Sequence, residues 1–233
     1  MFSAIAVVGT VYGALVAMVQ TDIQKLVAYS SVSHMGFVVL GIFSLTVEGI
    51  QGAVIQMVNH GIATGALFLC VGVLYERRHT REISAFGGIT SVMPRFAVVF
   101  AITMFASVGL PGLNGFVGEF LTLYGAFKSP FLNDWTYAIV GASGVIFAAV
   151  YLLWMFQRVM YGPNENPENH HLRDLNKIEY WQLVPLVLLM VWLGVAPRTF
   201  MDYSEQAVKS VVGTVEHFKF STSTAESLDA PSR

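Results

Sequence analysis

The sequence predicts an all-α integral membrane fold, and three observations predict it. Hydrophobic residues fill 55% of the 233 positions and charged residues only 12%, against about 25% charged in a typical soluble domain. Mean hydropathy is +0.60. The apolar residues also fall in long runs between short polar stretches, and a bilayer core about 30 Å thick needs about 20 helical residues per crossing.

About six spans follow in order. Residues 2–19 form the first, ended by Gln20, Thr21, Asp22 and Lys25; residues 26–45 form the second, closed by Glu48. Residues 49–75 form the third, closed by the run Glu76-Arg77-Arg78-His79-Thr80-Arg81-Glu82. The fourth covers residues 96–127, the fifth 135–159 and the sixth 181–196, with Pro163 and Pro167 in a water-exposed loop before the last. Residues 1–198 read as one membrane domain. Beyond it, residues 199–220 suit an amphipathic surface helix, and the Ser- and Thr-rich residues 221–233 suit a flexible end, so that 199–233 forms a surface tail.

The fourth span is too long. Its 32 residues carry a single charge, Glu119, and as one straight helix they would reach about 48 Å. An interruption at Gly109-Leu110-Pro111-Gly112 resolves this. Pro111 lacks an N–H and clashes with the preceding turn, while Gly109 and Gly112 permit non-helical dihedrals. Unwound backbone at membrane depth is tolerated only against protein or a water-filled cavity, and broken helices recur at transporter ion sites. The alternative is a simple proline kink.

Six spans place both termini on one side. The connections at 20–25, 76–95 and 158–178 then share a face carrying Lys25, Arg77, Arg78, Arg81, Arg95, Arg158, Arg173 and Lys177. The positive-inside rule puts that face in the cytoplasm and the termini opposite. Net charge is −2, which argues against nucleic acid as a partner. Cys70 is the single cysteine, so no intrachain disulfide forms and no metal cluster can rest on thiolates.

An ionisable side chain inside an apolar span costs roughly 3 kcal/mol on insertion scales and must face protein or water, which makes it a functional candidate. Glu119 lies two turns past the break, preceded by Gly115 and Gly118, which leave room for a neighbour or water. It reads as a proton-carrying carboxylate, with a structural ion pair as the alternative. His60 sits in the third span; His34 sits in the second, one turn after Ser30 and Ser31, whose hydroxyls could bond the imidazole. An imidazole can accept a proton at one nitrogen and donate from the other, so two histidines and a carboxylate suit a proton relay. Each histidine alone reads equally well as a packing residue. Lys25, at the start of the second span, is the weaker member: an interfacial anchor first, an entrance-side relay group second. Asp22 and Glu48 read as loop charges, and Arg77, Arg78 and Arg81 as topology determinants or subunit contacts. The spans hold no E-x-x-H pair for a metal, no nucleotide-binding glycine motif, no C-x-x-C and no haem-like histidine pair.

The stretch Thr21-Asp22-Ile23-Gln24-Lys25-Leu26-Val27-Ala28-Tyr29-Ser30-Ser31-Val32-Ser33-His34-Met35-Gly36 resembles a signature of the antiporter-like subunits of respiratory complex I. Gly52 to Gly61, Leu74-Tyr75-Glu76-Arg77 and Gly109-Leu110-Pro111-Gly112 through Gly118-Glu119-Phe120 continue the resemblance over most of residues 1–200. Glutamate at 119, where sister L and N types carry lysine, points to the subunit M type of NADH-quinone oxidoreductase (the mitochondrial subunit-4 type).

The resemblance implies the second of two inverted helix repeats plus the terminal helix. It implies a proton-translocating membrane-arm subunit in which His34, His60 and Glu119 form the relay and its exit carboxylate. Such a chain is a subunit of a translocase, in the inner cell membrane, with no redox centre or cofactor of its own. NADH, flavin, iron–sulfur clusters and quinone belong to other subunits. The implied partners are L-type and N-type neighbours, membrane lipids and the first repeat, with its glutamate–lysine pair, that these residues do not include. Met1 is then an internal start, or another chain supplies that half. Two other readings compete: a cation/proton antiporter or membrane-bound hydrogenase subunit, and a non-transporting helix bundle.

Overall fold

A computed structural model describes residues 1–132 and 134–228. Eight α-helices account for most of them: α1 (Phe2–Met18), α2 (Ile23–Phe43), α3 (Val47–Arg78), α4 (Pro94–Val108), α5 (Asn114–Lys128), α6 (Thr136–Met160), α7 (Lys177–Val195) and α8 (Arg198–Leu228). By length and composition, α2, α3, α6 and α7 can each cross a membrane, while the apolar α1 and α4 are shorter. The chain is all-α, as its apolar runs predict, and the overlong fourth run is two helices of 15 residues each. α8 runs on through 221–228, the first part of the stretch 221–233 expected to be a flexible end, and the rest of that stretch, 229–233, lies outside the described residues.

Local chemistry sets the boundaries. Asp22 caps α2 by accepting from the Lys25 N–H at 3.1 Å, and Thr46 caps α3 by accepting from Gly49 at 3.1 Å. These side chains satisfy donors that the first helical turn leaves free. Asn176 and Glu179 form a reciprocal capping box at the start of α7, as that spacing favours. The carboxylate of Asp174 accepts from the backbone N–H groups of Arg95 and Phe96 at 2.9 and 3.0 Å, so a distant loop supplies the cap of α4.

The break has a different author from the proline. Gly109 takes a left-handed conformation (φ 83°). Its N–H donates to Ala106, and the next N–H, of Leu110, reaches back to Phe105 at 3.1 Å. That pair of bonds is the glycine-dependent helix closure, and it ends α4 at Val108 before Pro111 is reached. Pro111 lies in the connecting turn, after the helix has closed and before α5 begins at Asn114. α7 covers one side of the turn: Gly194 packs on the backbone of Gly112 and Leu113, where a Cβ would collide. Leu110 and Pro111 are exposed on the other side.

The main core gathers α2, α3, α4 and α6 around Leu26, Leu67, Phe96, Phe100 and Tyr151. α3 and α5 approach more closely than side chains normally allow, because glycines face backbone across the seam: Gly52 lies against Thr122, and Gly125 against Gly49.

The three connections predicted to share a face do so, and they are bonded together. Ile23 N–H donates to Arg81 and Ile83 N–H to Thr21, both at 2.9 Å. Asn166 and Asn169 both donate to the Ala85 carbonyl at 3.2 Å. Arg77 grips Glu179 with both terminal nitrogens, at 2.8 and 2.7 Å, and donates to the Arg173 carbonyl at 2.7 Å. Arg78 pairs with Glu168, and Arg81 with Asp22 and Gln24. The arginines expected as topology markers or subunit contacts therefore have partners within this chain. Asp22 and Glu48 are likewise more than loop charges, since Asp22 caps α2 and Glu48 pairs with Lys128 at 2.7 Å.

Candidate functional site

Three helices bring the buried ionisable groups together. His34, in the middle of α2, and Glu119, in the second turn of α5, are each only 3% exposed. The imidazole Nδ1 and carboxylate Oε1 are 3.0 Å apart. Two such groups cannot sit in an apolar interior uncompensated, and each supplies what the other lacks: a ring N–H and an acceptor oxygen. The second carboxylate oxygen, Oε2, lies beside Gly109, where a Cβ would strike it. The break and the carboxylate are thus one structural unit, not merely near in sequence.

His60, on α3, is half-buried, with its ring centroid 5.8 Å from that of His34. Its Nδ1 bonds the Thr64 hydroxyl at 3.1 Å. It reaches neither His34 nor Glu119 by a direct hydrogen bond. Both rings line a cavity of about 10 Å³, together with Gln56, Asn59 and Ser107, the space of about one water molecule. Four buried polar atoms of its lining have no hydrogen-bond partner among the described residues: His34 Nε2, Gln56 Oε1, Asn59 Oδ1 and Ser107 Oγ. Buried polar atoms are normally satisfied, so the four mark a place built for a polar guest.

Several supporting residues were not singled out by the sequence. Asn59 and Asn114 exchange side-chain-to-backbone bonds, Asn59 Nδ2 to the Asn114 carbonyl at 2.6 Å and Asn114 Nδ2 to the Asn59 carbonyl at 3.2 Å. This pair fixes the first turn of α5 on α3 and so sets the height of Glu119 opposite His34. Gln56 fits against Gly118, whose missing side chain admits it. Tyr151, on α6, is fully buried in the main core, and its hydroxyl has no hydrogen-bond partner among the described residues. The signal that could have found the asparagines is the one used for Glu119: an amide inside an apolar run needs a partner.

Two expectations change. Ser30 and Ser31 do not bond His34; both hydroxyls donate to the Val27 carbonyl, at 2.7 and 3.2 Å, because a helical serine finds its own preceding turn first. Lys25 is exposed in the first turn of α2, nine residues before His34, a rise of roughly 13 Å. It is not brought to the buried group. Among the described residues no cluster of three or more His, Cys, Asp and Glu is placed to hold a metal ion. His34, His60 and Glu119 can instead exchange protons through a directly bonded pair and a water-sized cavity.

Residues 1–147 match the family described as NADH:quinone oxidoreductase/Mrp antiporter, transmembrane. The chain is 44% identical to NADH-quinone oxidoreductase subunit M of Rickettsia conorii, over 89% of this chain and 41% of that protein. It is 46% identical to subunit M of Rhodobacter capsulatus, over 89% of this chain and 40% of that one. In structure it is similar to a chain of respiratory complex I from Thermus thermophilus with bound NADH, with a TM-score of 0.84 and 35% identity over 91% of this chain and 44% of that chain. The chain therefore spans about two fifths of the length of the curated relatives it matches.

Proposed function

This chain belongs to the NADH:quinone oxidoreductase/Mrp antiporter transmembrane family, and on that premise we propose that it supplies a buried histidine–glutamate proton relay to the membrane arm of a respiratory NADH:quinone oxidoreductase. The observation that carries the reading is the 3.0 Å contact between His34 Nδ1 and Glu119 Oε1, 97% buried beside a broken helix.

The relay works by exchange of one proton at a time. With Glu119 ionised, the His34 Nδ1–H donates to it, and Nε2 is a free acceptor at the cavity. A water there can donate to Gln56 Oε1 or Asn59 Oδ1 and hand one proton to Nε2 as it receives another from the His60 side of the cavity, so that it stays neutral. The imidazolium then releases its Nδ1 proton to Glu119, giving a neutral acid and a neutral ring protonated at Nε2. A ring flip or tautomer exchange restores the start once Glu119 has discharged past Gly109. The pair's charge alternates between −1 and 0, and in the −1 state the carboxylate keeps the His34 N–H as its donor, which limits the penalty a low-dielectric interior imposes on an unpaired ion. His60 serves the far side of the cavity.

No redox step takes place on this chain in this reading. NADH, flavin, iron–sulfur clusters and quinone are held by other subunits, and electron transfer there drives the protonation cycle here as part of a translocase. L-type and N-type subunits are its neighbours, and a first repeat completes the subunit. Residues 1–198 are the membrane domain and 199–233 the surface tail. The face carrying Arg77, Arg95 and Lys177 is cytoplasmic, in the inner membrane. Lys25 serves as an interfacial anchor.

Substituting Glu119→Gln in the assembled complex tests the proposal. Quinone reduction and assembly should persist while proton transfer through this subunit slows by about 10²-fold or more, the worth of a positioned acid–base group. A wild-type ratio of protons to electrons in an assembled Glu119→Gln complex would sink the relay. The antiporter-class alternative predicts sodium-dependent transport instead, and that measurement separates the two.

A further inference from the structure

We propose that the groove between the N-terminal ends of α4 and α7 binds the phosphate headgroup of an anionic phospholipid. The groove has a volume of about 480 Å³ and is lined by Arg95, Val98, Leu175, Lys177, Tyr180 and Trp181. It opens at the face where the three bonded connections gather, so it lies where a lipid headgroup would sit.

Its charge points to the occupant. Arg95 and Lys177 are exposed, and neither has an ion-pair partner among the described residues. The nearby acids are committed elsewhere. Asp174 accepts from the backbone N–H groups of Arg95, Phe96 and Leu175, and Glu179 is held by Arg77. Asp174 keeps its charge beside the Arg95 backbone, but neither cationic end group forms a salt bridge with a described carboxylate, so two cations face one opening against a single nearby acid. Below them the walls change character. Val98 is 59% exposed and Trp181 76%, which suits acyl chain and the aromatic belt at a membrane interface. Both cationic side chains have the length to bury their stems along that wall and keep their charged ends at headgroup level. Basic pockets between transmembrane helices recognise anionic headgroups in this way. A soluble phosphate would use the two cations and leave the apolar wall idle, so the lipid is the occupant that uses the whole groove.

The test reads contact with Trp181. In the full chain, Trp135→Phe, Trp154→Phe and Trp192→Phe leave Trp181 as the sole tryptophan. The protein is placed in phosphatidylcholine vesicles containing a small fraction of either brominated phosphatidylglycerol or brominated phosphatidylcholine. Each cation contributes about five-fold at a membrane surface. Phosphatidylglycerol should then quench at a mole fraction on the order of 25-fold lower than phosphatidylcholine. Arg95→Gln with Lys177→Gln should abolish the preference, and Arg198→Gln, far from the groove, should leave it intact. Excess inorganic phosphate should not relieve the quenching. Equal quenching by the two lipids, a preference that survives the double substitution, displacement by inorganic phosphate, or no quenching by either lipid would each overturn the proposal.

Discussion

At the scale of single residues, cost decides which side chains matter. Glu119 and His34 were legible in the sequence because a charge inside an apolar span demands an explanation, and the structure places them 3.0 Å apart. The ranking of the histidines was not legible. His34 bonds the carboxylate directly, whereas His60 is half-buried and bonds Thr64. In the assembled complex, His34→Ala should slow proton transfer by about 10²-fold, and His60→Ala by less than about ten-fold because water can replace it. Proton-to-electron ratios in sealed vesicles measure both, and equal losses would show that the two rings act as one station. Ser30, Ser31 and Lys25 mark the limit of reading by proximity in sequence. Two serines satisfied their own helix first, and a lysine two and a half turns from His34 stayed at the surface.

At the scale of helices, the overlong fourth run announced its interruption at Gly109-Leu110-Pro111-Gly112, but not how the closure divides between the glycine and the proline. Sequence rules point to proline as the breaker. Here the closing bonds belong to left-handed Gly109, and Pro111 follows after α4 has ended. Two substitutions separate these roles. Gly109→Ala forces an L-residue into a conformation that costs about 1–2 kcal/mol and pushes a methyl group at Glu119 Oε2. It should lower thermal stability and disturb the relay together. Pro111→Ala should leave both near the wild-type level. A melting-temperature loss in Pro111→Ala as large as in Gly109→Ala would return the break to the proline. The asparagine pair that aligns α5 with α3 escaped the sequence reading, since nothing in the spacing of 59 and 114 tells that two residues 55 apart will meet.

At the scale of the whole chain, apolar run lengths were enough to give an all-helical order and the shared face of three connections. They could not show that this face is a bonded plate, because Arg77 at the end of α3 lies about a hundred residues from Asp174 and Glu179 around the start of α7, and each reads singly as surface charge. Arg77→Ala would leave the Glu179 carboxylate, 8% exposed, without its bidentate partner. The expected loss is about 2–3 kcal/mol, between the values for surface and buried pairs. It should appear as a lower melting temperature with faster hydrogen exchange at residues 79–93 and 161–176. Arg77→Met with Glu179→Leu should recover part of it, because no unpaired charge then remains. The seam between α3 and α5 has a mechanical consequence. Where Gly49 and Gly52 meet Gly125 and Thr122, backbone lies on backbone, a smooth rail with no interlocking teeth. Such a contact resists separation far better than it resists sliding, so the Asn59–Asn114 exchange acts as the latch that stops α5 from travelling along its own axis and carrying Glu119 out of register with His34.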